Sequence, residues 1–157
     1  MIFIIGYGNP LRSDDAIGQQ MALLMEQRLH GEDIQVKTAY QLTPELVEPI
    51  SYAQLVIFID ARIGAIPGIV VWESIEPEMS AGAFTHHVSP AALLSASHEL
   101  YGAKPKGILI SIAGAVFDYG SELSPQLNRL LPGLADQIEA IIKTQAGISI
   151  LEETNHA

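Results

Sequence analysis

The sequence contains no cysteine, so it has neither a disulfide framework nor a thiolate metal site, and it suits a reducing compartment. Positive charge is scarce: eight Lys and Arg stand against eighteen Asp and Glu, for a formal charge of −10. The basic residues are scattered, which excludes the clustered cationic surface a nucleic acid needs, so no nucleic acid partner is expected. Long apolar runs are also missing. The first, Ile2 to Ile5, is four residues long, has no basic lead and is soon followed by charges, so neither a signal peptide nor a membrane span is expected there. There is no G-x-S-x-G elbow to present a nucleophilic serine, and Ser13 and Ser89 read as helix caps. The dinucleotide fingerprint is incomplete too: Gly6 and Gly8 are present, but Leu11 occupies the third position and Pro10 removes a backbone donor.

What stands out is Gly6-Tyr7-Gly8-Asn9-Pro10-Leu11-Arg12-Ser13-Asp14-Asp15-Ala16-Ile17-Gly18. A short apolar run that ends in a Gly-x-Gly-Asn-Pro turn and leads into helical periodicity describes a buried strand delivering its next loop to a sheet edge. A phosphate loop would offer glycines and a lysine to an anion. This one offers Asp14 and Asp15, which suit a cation or general-base work.

The 157 residues, 48% of them apolar, suit one domain over 1–147 followed by a loosely held tail over 148–157. Ile17, Met21, Leu24 and Met25 predict a helix over about 15–29 with Ser13 or Asp14 as its cap. Alternation predicts a strand over 34–38, and Thr43-Pro44 a short helix start. The continuous apolar run 55–59 reads as a central strand ending on Asp60. Too few residues separate it from the run 69–72 for a parallel crossover, so that strand is expected to run antiparallel, with 73–82 irregular. Ser89-Pro90 starts a helix to Tyr101-Gly102, a fifth strand follows over 108–113, and the spacing of Leu127, Leu134, Ile138 and Ile142 predicts a last helix that Pro132-Gly133 kinks or begins. The expectation is an α/β three-layer sandwich of the phosphorylase/hydrolase-like kind, with a mixed, mostly parallel five-stranded sheet between helices. If the strands ending at Gly6 and Ile59 are parallel neighbours, Asp15 and Asp60 share one rim.

Asp15, Asp60 and either His86 or His87 make a set that oxygen- and nitrogen-preferring divalent metals accept, and that also serves as acid and base. Blander readings stand beside it. Asp14 or Asp15 could only cap a helix, Arg62 could neutralise Asp60, and the histidines could belong to a solvated loop. His30, His98 and His156 receive no role.

Two families come into view on these motifs. The Gly-x-Gly-Asn-Pro opening resembles peptidyl-tRNA hydrolases, although that family continues with an Arg-His-Asn segment and favours basic surfaces. Taken with Ile59-Asp60-Ala61 and with Thr85-His86-His87 ahead of a helix, the whole opening motif resembles the hydrogenase maturation endopeptidases, in their order and approximate spacing, to about Ile142. That resemblance implies a cytoplasmic protease that removes the C-terminal extension of a nickel–iron hydrogenase large-subunit precursor after nickel insertion. It implies that Asp15, Asp60 and His86 contact nickel held in the substrate, His86 being favoured over His87 by its distance from the following helix. No membrane is implied, and a monomer is expected. One departure is Ala39-Tyr40-Gln41-Leu42-Thr43, where many members carry Gly-Gly-Thr. A metal-dependent binding module that does not cut is the alternative from another class.

Overall fold

The computed structural model describes residues 1–30, 33–85 and 87–155, the last eight as backbone. Five strands, β1 (Ile2–Tyr7), β2 (Ile34–Ala39), β3 (Leu55–Ile63), β4 (Val70–Ile75) and β5 (Lys106–Gly114), form one sheet in the order β2-β1-β3-β5-β4. All pairings are parallel except β4 with β5. The antiparallel strand is the one whose connection to β3 is too short for a crossover, and it lies at the sheet edge.

Side-chain alternation along the strands divides the core into two halves. Ile4, Ile57, Ile59, Ile108, Ile110 and Ile112 face α1 (Ile17–Arg28) and α4 (Pro125–Asn155). Phe3, Ile5, Val56 and Phe58 face α2 (Val47–Ser51) and α3 (Pro90–Tyr101). The result is the expected three-layer sandwich, and burying a side chain such as Phe58 contributes about 1.5–3 kcal/mol. Because α1 covers one face and α2 and α3 the other, the crossover direction switches between β1 and β3. At such a point the loops diverge and leave a crevice beyond the strand ends.

Several boundaries differ from the sequence reading. The helix expected from about residue 15 begins as a single 3-10 turn, Ser13–Ala16, with α1 proper starting at Ile17. Neither Ser13 nor Asp14 caps it: neither helix start has a side-chain cap bond. Ser13 instead adopts a positive φ of 51°, and its hydroxyl donates to the Asp118 carbonyl. β3 runs four residues past Ile59 because β5 continues beside it, from Asp60 opposite Ser111 to Ile63 opposite Gly114. β4 reaches Ile75, so 73–75 is strand where irregular chain was expected. Helix α4 begins at Pro125, placing Pro132 inside it, and continues through Gly147 to Asn155. Ser89 caps α3 by accepting from the Ala92 amide at 3.1 Å, and Gly102 ends that helix at φ 69°, as their sequence signatures predict. Among the described residues no helix is long and apolar enough to cross a membrane.

Candidate active site

At the carboxyl ends of β1 and β3 lies a cleft of about 360 Å³. Asp15 and Asp60 both line it, which places the two carboxylates on one rim. The loop after β2 contributes Tyr40, Gln41 and Thr43, and the segment ahead of α3 contributes Phe84, Thr85 and His87.

Close backbone packing brings the first loop to this rim. Gly18, in the first turn of α1, sits so near β1 and β3 that a Cβ there would overlap the carbonyl oxygens of Ile59 and Tyr7. Gly8 has φ 148°, and a Cβ on it would overlap the Asp15 carbonyl. Small residues at 8 and 18 thus allow the loop to fold back over the strand ends. Asn9 then fixes the acidic side chain: its amide donates to Asp15 Oδ2 at 2.7 Å. The Asn9 side-chain amide donates to the Tyr40 hydroxyl at 2.7 Å, joining the loops after β1 and β2. Gln19 strengthens that join by donating to the carbonyls of Gly8 and Ala39.

The two adjacent aspartates have separate surroundings. Asp14 is fully buried, and its carboxylate accepts from the amides of Ala115, Val116 and Ser124 and from the Ser124 hydroxyl, at 2.7–2.9 Å. Burial pushes its carboxyl up, but these hydrogen bonds outweigh burial and hold it below the usual carboxylate range. Ser124 also accepts from the Leu127 amide at 3.3 Å, so Asp14 braces the residue that caps α4. Asp15 faces the cleft.

Asp60 is half-buried, and its pKa is raised to about 6 by burial, with the Asp15 charge adding to the rise. Hydrogen bonds from the Tyr7 hydroxyl and the Ala61 amide act in the opposite direction. Burial, with the neighbouring Asp60 charge, raises Tyr7 strongly, so its phenol stays protonated as a donor. This partnership follows from register. Gly6 lies opposite Ile59, and Tyr7 and Asp60 each continue the strand face that packs toward α2 and α3. Arg62, the partner anticipated for Asp60, forms no ion pair with it among the described residues, and its Nε is buried without a hydrogen-bond partner. Tyr7 stands alongside Asp60 on the adjacent strand, whereas Arg62 is two residues farther along β3, about 6.6 Å away at strand rise.

His86 lies outside the described residues. His87 is exposed and lines the cleft, and Phe84 gives the cleft an apolar edge. Among the described residues no three His, Asp or Glu side chains gather tightly enough to hold an ion alone. Sequence reasoning selected Asp15 and Asp60 but overlooked Tyr7, Asn9 and Gln19. The signal for Tyr7 was its place two residues after Ile5, on the same face of the first strand.

No protein-family model matches the chain, and no curated protein matches it in sequence. Solved structures do match in fold. The hydrogenase maturating endopeptidase HybD from E. coli superposes with a TM-score of 0.70 at 22% identity, covering 92% of this chain and 93% of that one. The [NiFe] hydrogenase maturation protease HycI from Thermococcus kodakarensis gives 0.71 at 24% identity, over 90% and 92%. An endopeptidase from Escherichia coli, determined in solution, gives 0.69 at 24%, over 92% and 93%. The chain has the fold of the hydrogenase maturation endopeptidases. The likeness extends over nearly the full length on both sides.

Proposed function

We propose that this chain is an endopeptidase that removes the C-terminal extension of a nickel–iron hydrogenase large-subunit precursor after nickel insertion. In this reading Asp15, Asp60 and His86 contact nickel that the substrate carries. The observation that supports it most is the convergence of Asp15 and Asp60 on one cleft at the switch point between β1 and β3, in a chain with the fold of the maturation endopeptidases. The reading as a cytoplasmic protein accords with the absence of cysteine.

The chemistry is that of a partial coordination sphere. Carboxylate oxygens and an imidazole suit a divalent transition metal, and so few protein donors leave positions for ligands from the substrate. The substrate nickel serves as a recognition handle and can polarise the nearby peptide carbonyl. Asp60, with a pKa of about 6, is largely ionised at neutral pH yet basic enough to accept a proton from attacking water. That proton then passes to the departing amine as the C–N bond breaks, leaving a carboxylate on the mature subunit and a free amine on the released extension. Asn9 and Tyr7 hold the two carboxylates in place meanwhile.

A peptidyl-tRNA hydrolase would need a cationic path for RNA, which a chain with ten more acids than bases does not supply. The protease reading is tested by incubating the purified chain with precursor prepared with and without nickel. On a denaturing gel only the nickel-loaded precursor should shorten. Equal shortening of both forms would remove nickel from the account, and shortening of neither would favour the binding-module alternative.

A further inference from the structure

Arg62 is the one arginine without a partner among the described residues. Arg12 donates to the Phe117 carbonyl, Arg129 donates to the Pro125 carbonyl, and Arg28 pairs with Asp136. No ion pair reaches Arg62, and its Nε is buried without an acceptor. Such a donor is rare in a folded protein, because it gives up water and receives nothing in exchange. Its surroundings nonetheless hold the guanidinium in place. Arg62 stands on β3 two residues past Asp60 and on the same face, about 6.6 Å farther out at strand rise, where β5 backs it with Ala113. Gly64 leaves open the slot that the guanidinium occupies: a Cβ there would lie 3.0 Å from Arg62 Nη1 and 3.5 Å from its Cζ.

We infer that Arg62 is the receptor for a carboxylate that the substrate polypeptide brings to the outer lip of the acidic cleft. The inference rests on the protease reading of that cleft. Three features select the ligand. The first is shape: a guanidinium is a planar fork of donors that matches a carboxylate bidentately, and the idle Nε belongs to one side of that fork. The second is charge. Asp60 stands two residues away and Asp15 shares its rim, so a phosphate dianion would meet about twice the repulsion that a singly charged carboxylate meets. The third is the reaction itself, which offers carboxylates and no phosphate. A polypeptide carries Asp and Glu side chains, and cleavage creates a terminal carboxylate on the mature subunit. Either source presents the same group to Arg62. A contact made here, away from the reacting bond, would fix the register of the polypeptide over Asp60.

Arg62→Met keeps the apolar stem and removes only the charged head, so this variant should melt no lower than wild type. A fall of several degrees would show that the head has a partner within the fold and would overturn the inference. A second measurement is independent of cleavage. Titrating nitrogen-labelled wild-type protein with sodium acetate, against sodium chloride at equal ionic strength, should move the Arg62 Nε–H resonance downfield to saturation. Gly64→Ala, which fills the slot, should weaken that binding at least several-fold. No saturable shift, the same shift with chloride, or equally tight binding of inorganic phosphate would overturn the inference. With nickel-loaded precursor the two sources of carboxylate separate. If a side chain supplies it, Arg62→Met should raise KM about tenfold or more with kcat within about threefold; if the new terminus supplies it, KM should hold and the inhibition constant of the mature subunit should rise about tenfold or more. Precursor cut with both constants unchanged overturns the inference and leaves the protease reading standing. A saturable acetate shift in a protein that cuts no precursor retains the carboxylate site and removes the protease reading.

Discussion

The Asp14 carboxylate accepts the Ser124 hydroxyl at 2.8 Å, joining the loop after β1 to the residue that caps α4, across most of the chain. The same carboxylate accepts the amides of Ala115 and Val116, just after β5, and of Ser124, so Asp14 ties both ends of the loop 115–124 to the rim while its neighbour Asp15 faces the cleft.

Asp14→Ala should therefore be a stability variant. Removing the carboxylate leaves buried donors without acceptors, and we expect a loss of about 2–4 kcal/mol in urea unfolding at neutral pH. The folded-state pKa of Asp14 lies below its unfolded value, so its contribution is fully present above about pH 4 and is lost as pH falls through the folded pKa. The difference between wild type and Asp14→Ala should accordingly narrow on acidification below about pH 4. A constant difference down to about pH 2 would contradict this assignment.

Asp60 has the opposite sign. Its folded pKa, about 6, lies above the unfolded value of about 3.9, so ionisation of the folded protein costs stability as pH rises between these limits. Asp60→Asn should be more stable than wild type at about pH 8, by about 1–2 kcal/mol once solvent screening at this half-open rim is allowed for, and no more stable at about pH 4. Thermal melts at the two pH values check this. If Asp60 is also the base, kcat/KM should fall on the acid side of about pH 6, while the limb in kcat lies lower because bound nickel favours the carboxylate. Activity independent of pH between about 5 and 8 would remove Asp60 from that role.

The sheet was legible in sequence because its strands are short apolar runs bounded by turns, and the meeting of Asp15 with Asp60 followed once β1 and β3 were taken as parallel neighbours. The roles of the adjacent acids were not legible. Asp14 and Asp15 are the same residue type at consecutive positions, and what separates them is the loop 115–124, which reaches Asp14 from the far end of the chain. The start of α4 carries Ser124-Pro125, the same signature as Ser89-Pro90, and was obscured by the more conspicuous Pro132-Gly133. Tyr7 as the partner of Asp60, in place of Arg62, required the register of β1 against β3, which residue spacing alone does not fix.

The two histidines can be separated by substitution. His86→Ala should lose nearly all cleavage of nickel-loaded precursor, and His87→Ala, although His87 lines the cleft, should lose much less. Initial rates with equal amounts of each folded variant check this. Reversed losses would assign the contact to His87, and wild-type rates in both would remove histidine from the site.

Nickel should leave the isolated protein readily, because the proposed donors come from separate loops and no cysteine anchors the ion. After gel filtration in the presence of a chelator, metal analysis should find well under one nickel per chain. Stoichiometric nickel would point to a resident metal in place of one carried by the substrate.

The most direct test of the central claim is the intact mass of a nickel-loaded large-subunit precursor after incubation with the wild-type chain and with Asp15→Asn. Asparagine keeps an oxygen to accept the Asn9 amide but lacks the charge offered to the cation. Wild type should yield two products whose masses sum to the precursor plus one water, and Asp15→Asn should fold normally and leave the precursor whole. A precursor left intact by the wild-type chain, or cut equally well by Asp15→Asn, would contradict the account.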